Sequence, residues 1–231
     1  MTIRLDLARV SLLALLAVAA CHPQTRAASA GDDDDSAGGP TCGVERWDVK
    51  TGRDPLAPRV DLSRAQPTTI PEMVALPRPG GAGPEVTLGE GRQAPYERRA
   101  FVLRNVTLES YQRERDNDYH LVVRDGADTM VVEIPHPGCV DAPSPWRPQV
   151  TDARRRFAEH FHRRSHGEGL REVISVAGVG FFDRVHEMEG GAPNGIELHP
   201  VTGLCFGRGC ALPGDGPAAS GVPGLAPEYD D

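Results

Sequence analysis

The chain has 231 residues, 39% of them hydrophobic, with 26 Gly, 21 Pro and a formal charge of −8. This composition suits one loop-rich, β-containing domain and argues against a helical bundle. The charge is uneven: between Cys42 and Cys210 there are 22 Arg/Lys against 24 Asp/Glu, and the acidic excess sits in Asp32–Asp35 and the C-terminal tail. A near-neutral domain offers no electrostatic footprint for long nucleic acid.

Arg4 and Arg9 precede a short apolar run from Val10 to Ala20. A bilayer span needs about 20 apolar residues, so residues 1–20 read as a secretory signal peptide. Val18-Ala19-Ala20 before Cys21 resembles the bacterial lipobox, at which the cysteine is lipidated and becomes the mature N-terminus. The expected address is therefore export, with a lipid anchor at Cys21 joining the chain to a membrane. His22 is not the Asp that holds lipoproteins at the inner membrane, which favours an outer membrane. Residues 21–41 have no apolar periodicity and read as a flexible tether; the Asp32–Asp35 run is a solvated spacer.

Removing Cys21 leaves Cys42, Cys139, Cys205 and Cys210, an even number in an exported chain, which implies disulfides in one of three pairings. Cys205 and Cys210 flank Phe-Gly-Arg-Gly, whose glycines allow a tight local loop, and that leaves Cys42 for Cys139. No paired Cys-x-x-Cys spacing supports a thiolate metal site.

Residues 42–99 read as an extended lead-in, with Trp47 and Val49 packing onto the body. One short helix follows Thr69, where Thr69 and Glu72 form a capping box and Pro71 lies in the first turn. The regular part spans 100–210. Residues 101–111 alternate in their second half, with Val106 and Leu108 on one face and Asn105, Thr107, Glu109 and Tyr111 on the other. Residues 118–123 and 129–135 alternate again, the latter with Met130, Val132 and Ile134 inward and Val131 and Glu133 outward. Residues 152–164 space Ala153, Phe157 and Phe161 four apart, which is one amphipathic helix. Residues 171–183 form a fourth strand, where Gly178 and Gly180 predict a bend. Residues 195–201 form a fifth, with Ile196 and Leu198 opposite Glu197 and His199. Residues 211–231 are a Pro/Gly/Ala-rich, disordered tail.

The order β-β-β-α-β-β with bent strands predicts a mainly β (α+β) fold, a five-stranded OB-fold-like Greek-key barrel with one helix between strands three and four. An open α+β sandwich is the alternative. The strings ERWDVKT, DYHLV, GVGFFD and NGIELHPV together resemble an uncharacterised family of exported bacterial proteins over residues 42–206. That resemblance implies a small exported domain and carries no activity with it.

In such a barrel the outward residues Asp118, His120, Glu133, Glu197 and His199 can approach one another. The loop between strands four and five, which flanks the usual ligand face, carries Asp183, His186 and Asn194. Imidazoles and carboxylates are ligands for a zinc-like divalent ion, so His120 and His199 with Glu197 or Glu133 could hold a metal-bound water that hydrolyses an ester or phosphodiester. The plainer reading is a half-exposed polar face, with Asp183 and Asn194 setting turns. No Gly-x-Ser-x-Gly, phosphate loop or dinucleotide fingerprint is present. Two functions follow: a lipid-anchored envelope module that binds a ligand or an envelope protein, or a divalent-metal hydrolase.

Overall fold

The computed structural model describes residues 40–81, 86–185 and 188–215. The signal segment, Cys21, the Asp32–Asp35 tether, His186 and residues 216–231 lie outside the described residues.

The lead-in is not extended. Trp47–Thr51 forms a short helix, α1, which ends at Gly52 with φ 70°. Its path is set by two buried ion pairs that no periodicity reveals. The Arg46 guanidinium donates to both Glu97 oxygens (2.9 and 2.5 Å), to the Gly91 carbonyl and to the Phe182 carbonyl. The Arg92 guanidinium donates to both Asp54 oxygens (3.0 and 2.6 Å) and to the Val49 carbonyl. Buried charges need such partners, so residues 46–81 and 86–97 wrap the barrel and belong to its packing. Strand β1 (Gln66–Thr68) runs parallel to the first barrel strand. Helix α2 (Ile70–Val74) carries the expected capping box: the Glu72 amide donates to Thr69 Oγ1, and the Glu72 carboxylate accepts from the Thr69 amide.

The barrel strands are β2 (Ala100–Arg113), β3 (Tyr119–Asp125), β4 (Asp128–Ile134), β6 (Glu172–Phe182) and β7 (Ile196–Phe206). Between β4 and β6 lie helix α3 (Arg147–His160) and a two-residue strand, β5 (His166–Gly167). β2, β3 and β4 form an antiparallel meander, β4 pairs with β7 in parallel, β7 pairs with β6, and β6 returns to β2. The last pairing closes the sheet. The result is a closed five-stranded barrel with the strand order of the OB-fold, and the open sandwich is overturned.

Three local differences have physical causes. Tyr111 was expected to point outward, but a register shift between Leu108 and Ser110 adds a residue on β2, and a bulge reverses the faces beyond it. Tyr111 is buried and packs edge-on against Phe157, with centroids 4.9 Å apart. Helix α3 starts at Arg147, earlier than expected, because Pro148 sits in its first turn, where its missing N–H costs nothing. It ends at His160, and His162 and Arg163 follow with positive φ. Strand β7 continues to Phe206 across the bend in β6.

The bend itself falls where the glycines predict it. The β6–β7 register shifts on both sides of Gly178. A Cβ at Gly178 would lie 2.8 Å from the Pro200 carbonyl oxygen and 2.9 Å from Leu198 Cβ, so the strands meet too closely there for any side chain. The core inside the barrel is built from Leu108, Tyr119, Leu121, Met130, Val132, Ile134, Ile196 and Leu198, and Phe157 of α3 packs into it.

Disulfides join Cys42 to Cys139 and Cys205 to Cys210. The first ties the start of the lead-in to the turn after β4. Two such bonds indicate an oxidising, non-cytoplasmic compartment. Among the described residues, no helix is long and apolar enough to cross a membrane.

Candidate functional site

Strand register assembles the site. β3 and β4 pair His120 with Glu133, and β4 and β7 pair Val131 with Glu197. Side chains alternate along a strand, so Glu133 lies beside Val131 on the outer wall, and His199 lies beside Glu197. The four polar groups therefore share the face opposite the apolar core.

Glu133 is the hub. Its Oε1 lies 3.0 Å from His120 Nδ1, and its Oε2 lies 2.7 Å from His199 Nδ1. His199 Nδ1 is also 3.3 Å from Glu197 Oε1, and His199 Nε2 is 3.5 Å from Asp118 Oδ2. Glu114, on the loop between β2 and β3, stands 3.6 Å from His120 Nδ1. The other oxygen of Asp118 accepts from the His136 amide at 3.0 Å.

These groups face outward from the barrel yet are enclosed. His199 and Asp118 are 0% exposed, and Glu197, His120 and Glu133 are also buried. The cover is the lead-in. Trp47 of α1 meets the His199 ring edge-on at 6.5 Å, and Phe181 of β6 lies 5.7 Å from it. Lys50, the one lysine of the sequence, sits over the Phe181 ring at 5.1 Å and faces the carboxylates.

Burial and charge compete at every group. Burial works against the His199 imidazolium, but Glu133 and Asp118 together hold its pKa well above the ordinary value, with Lys50 opposing them. Burial likewise opposes charge on His120, and Glu133, Glu114 and Glu197 raise its pKa nonetheless. Burial would raise the Glu133 carboxyl, yet the two imidazoles and Lys50 hold it well below the usual range. Burial and then Glu133 push Glu197 up to about 7. Burial disfavours the Lys50 ammonium, but Glu197, Glu133, Asp183 and Asp118 keep its pKa above normal. Burial and a neighbouring acid raise both Glu114 and Asp116.

The loop after β6 plays a different part. Asn194 donates to the carbonyls of Met73 and Leu76, and its Oδ1 accepts from the Ile196 amide. Arg78 donates to the carbonyls of Asp183 and Asn194. Gly195, at φ 71°, has no room for a Cβ between Arg78 and the Asp183 carbonyl. Asn194 thus pins the loop to the end of α2 and stays out of the cluster. Asp183 shares with Glu197 and Val131 a cleft of about 110 Å³, also lined by Met188 and Ala192. His120 faces a second small cleft, of about 90 Å³, with Gln112, His166 and Glu168.

Two groupings have the reach to hold a metal: Glu114, His120 and Glu133, and Asp118, Glu133 and His199. Each contains one histidine and Glu133, so of the two expected carboxylates Glu133, not Glu197, is the one shared by both, and His120 and His199 do not fall in one grouping. Glu114 and Lys50 are absent from the sequence expectations. Glu114 lies in a polar turn that gives no sign of its neighbours, and Lys50 stands out only as the single lysine. Among the other histidines, His136 accepts from the Gly138 amide in a turn, and His160 stacks on Phe206 at 3.6 Å.

No protein-family model matches the chain, and no curated protein matches it. Among solved structures, a putative aspartyl-tRNA synthetase from Leishmania major Friedlin is similar over 62% of this chain and 21% of that one, at 12% identity and a TM-score of 0.35. A likeness that slight bears on neither substrate nor activity.

Proposed function

We propose that the chain is a binding module of the cell envelope, exported and held to a membrane by a lipid on Cys21, and that the sequence family it resembles shares this role. One observation carries the reading. The outer wall of β2, the 168–171 segment and the 188–195 loop border an open cleft of about 720 Å³, lined by Thr107, Glu109, Ser110, Glu168, Arg171 and Glu189. Open concave surfaces with convergent polar groups are where ligands dock, and in OB-folds the flanking loops mark that face. Glu109 is held by the Arg124 guanidinium (2.5 and 2.9 Å), which leaves Glu168 and Glu189 against Arg171 and suits a ligand or envelope partner that presents positive charge. The test is a titration of the mature chain with peptides bearing free amines, neutral glycans and oligonucleotides. Amine-bearing peptides should bind, and charge reversal in Glu168→Lys/Glu189→Lys should abolish binding. Equal binding by that variant, or binding of the oligonucleotide alone, would exclude this cleft.

The second reading is a divalent-metal hydrolase on His120 and His199 with Glu197 or Glu133. It draws support from the Glu133 carboxylate that joins both imidazoles. Enclosure weighs against it, because a hydrolytic metal keeps one position open to substrate and His199 is 0% exposed. Metal-dependent hydrolysis of an activated phosphodiester, lost in His199→Ala, would reverse that judgement.

A further inference from the structure

Arg78 is 8% exposed, and its guanidinium bonds on one side only. Nη1 donates to the carbonyls of Asp183 and Asn194. Nε and Nη2 are buried and have no acceptor. No carboxylate among the described residues pairs with Arg78, whereas Arg46 and Arg92 have Glu97 and Asp54. Burial lowers the Arg78 pKa, and Arg46 adds to this against the pull of Asp183 and Glu97, which is the direction a cation without a counter-ion takes. Nε and Nη2 form one edge of the planar guanidinium, the fork that the two oxygens of a single carboxylate fill side by side. Arg78 borders a cleft of about 120 Å³ between the lead-in and the end of β6, and Arg46 borders it too. The Arg46 Nε is likewise buried without an acceptor. Three unused nitrogen donors thus belong to two guanidiniums on one cleft.

We propose that this cleft binds the carboxylate of a small organic acid or of a peptide C-terminus, with the Nε–Nη2 edge of Arg78 as its anchor. A buried donor without an acceptor is costly, so an oxyanion that fills both nitrogens is strongly favoured there. The charge fits a monoanion. Glu97 balances Arg46, and Arg78 is left with carbonyl oxygens alone. Glu45, Glu90 and Arg184 stand exposed at the rim, where the two acids oppose a dianion such as a phosphate monoester. The rest of the lining suits a short apolar body: Val86, Leu88 and Phe182 border the cleft, and the Arg78 guanidinium lies 6.0 Å from the Phe182 ring centroid. The volume is several times the roughly 10–15 Å³ that one water needs. The two bonds from Nη1 fix the guanidinium before a ligand arrives, so its free edge is preorganised. None of these residues borders the open cleft on β2, so the inference stands apart from the reading of that cleft as a site for positive charge.

Butyrate and N-acetyl-alanyl-alanine, titrated separately into the mature full chain, test the site and tell its two sources apart. Calorimetry should show saturable binding, and the Arg78 Nε–H resonance in side-chain ¹⁵N spectra should move with the same midpoint. Butyramide and the peptide amide should leave that resonance in place. Binding of butyrate assigns the site to a free acid, and binding of the peptide alone assigns it to a chain terminus. Arg78→Lys should weaken binding about tenfold or more, because an ammonium offers a point charge in place of the fork. Its melting curve reports whether it folds, and the wild-type spectra decide the question if it does not. An Arg78 Nε–H resonance that responds to neither acid, or equally to the amides, would overturn the proposal. So would methyl phosphate binding as tightly as butyrate.

Discussion

Replacing Arg46 with Met tests whether the lead-in is part of the domain and the cover of its polar wall. Arg46 is 6% exposed and Glu97 is 0% exposed. The Glu97 carboxylate accepts two bonds from Arg46 and one each from the Gln93 and Phe182 amides. Arg46→Met removes the guanidinium and leaves the carboxylate buried with two backbone donors. Breaking a buried pair in this way costs roughly 3–5 kcal/mol. The contact of the guanidinium with the Phe181 ring, 4.5 Å from its centroid, is lost as well. We expect about 4 kcal/mol in total, a large part of the roughly 5–15 kcal/mol available to a domain. Urea denaturation should then show the midpoint falling by about 2 M at an m-value of about 2 kcal/mol/M. Trp47 emission should shift to the red before the main transition as α1 lifts away from His199. Arg46→Met/Glu97→Leu should recover more than half of the loss, because the stranded charge is gone. A loss below about 1 kcal/mol at unchanged m would refute the view that this pair anchors the cover.

The two disulfides should differ in worth. Cys42–Cys139 spans 97 residues and Cys205–Cys210 spans five, so loop entropy assigns them about 5 and about 2 kcal/mol; paired Cys→Ser variants measured by urea denaturation should rank in that order. Gly178→Ala should cost about 1–3 kcal/mol, because its Cβ meets the Pro200 carbonyl and Leu198, and a neutral result in thermal melts would mean that the strands can part there. The capping box should respond to acid. The Thr69 amide and the Thr68 hydroxyl hold the Glu72 carboxyl below its ordinary pKa, so its contribution is complete above the unfolded value and fades as pH falls through the folded one. Between about pH 5 and 3 the melting temperature of Glu72→Gln should therefore fall less steeply than that of wild type, and parallel slopes would show that the cap does not titrate as argued.

The barrel was legible because its signals are local. Alternation in 129–135, the four-residue spacing of Ala153, Phe157 and Phe161, and the glycines at 178 and 180 each report the backbone around them. The outward set was legible for the same reason, since alternation alone puts His120, Glu133, Glu197 and His199 on one side. Its burial was not. That depends on Arg46 reaching Glu97 and on Arg92 reaching Asp54, 51 and 38 residues apart, and no periodicity encodes a guanidinium's partner. Tyr111 failed for a related reason: one extra residue at the β2 bulge, invisible in composition, reverses every face after it. Asn194 follows the plainer reading, since its Oδ1 accepts from the Ile196 amide as a turn residue does, but its amide bonds to the Met73 and Leu76 carbonyls have no sequence signal.

The central claim is that one carboxylate, Glu133, gathers two imidazoles from strands far apart in sequence. Side-chain ¹⁵N spectra of the histidines, recorded on chelator-treated wild type and on Glu133→Gln, test it most directly. The account predicts that the Nδ1 resonances of His120 and His199 both move in the variant, while those of His136 and His160 stay in place. Movement of only one of the two, or of neither, would contradict it.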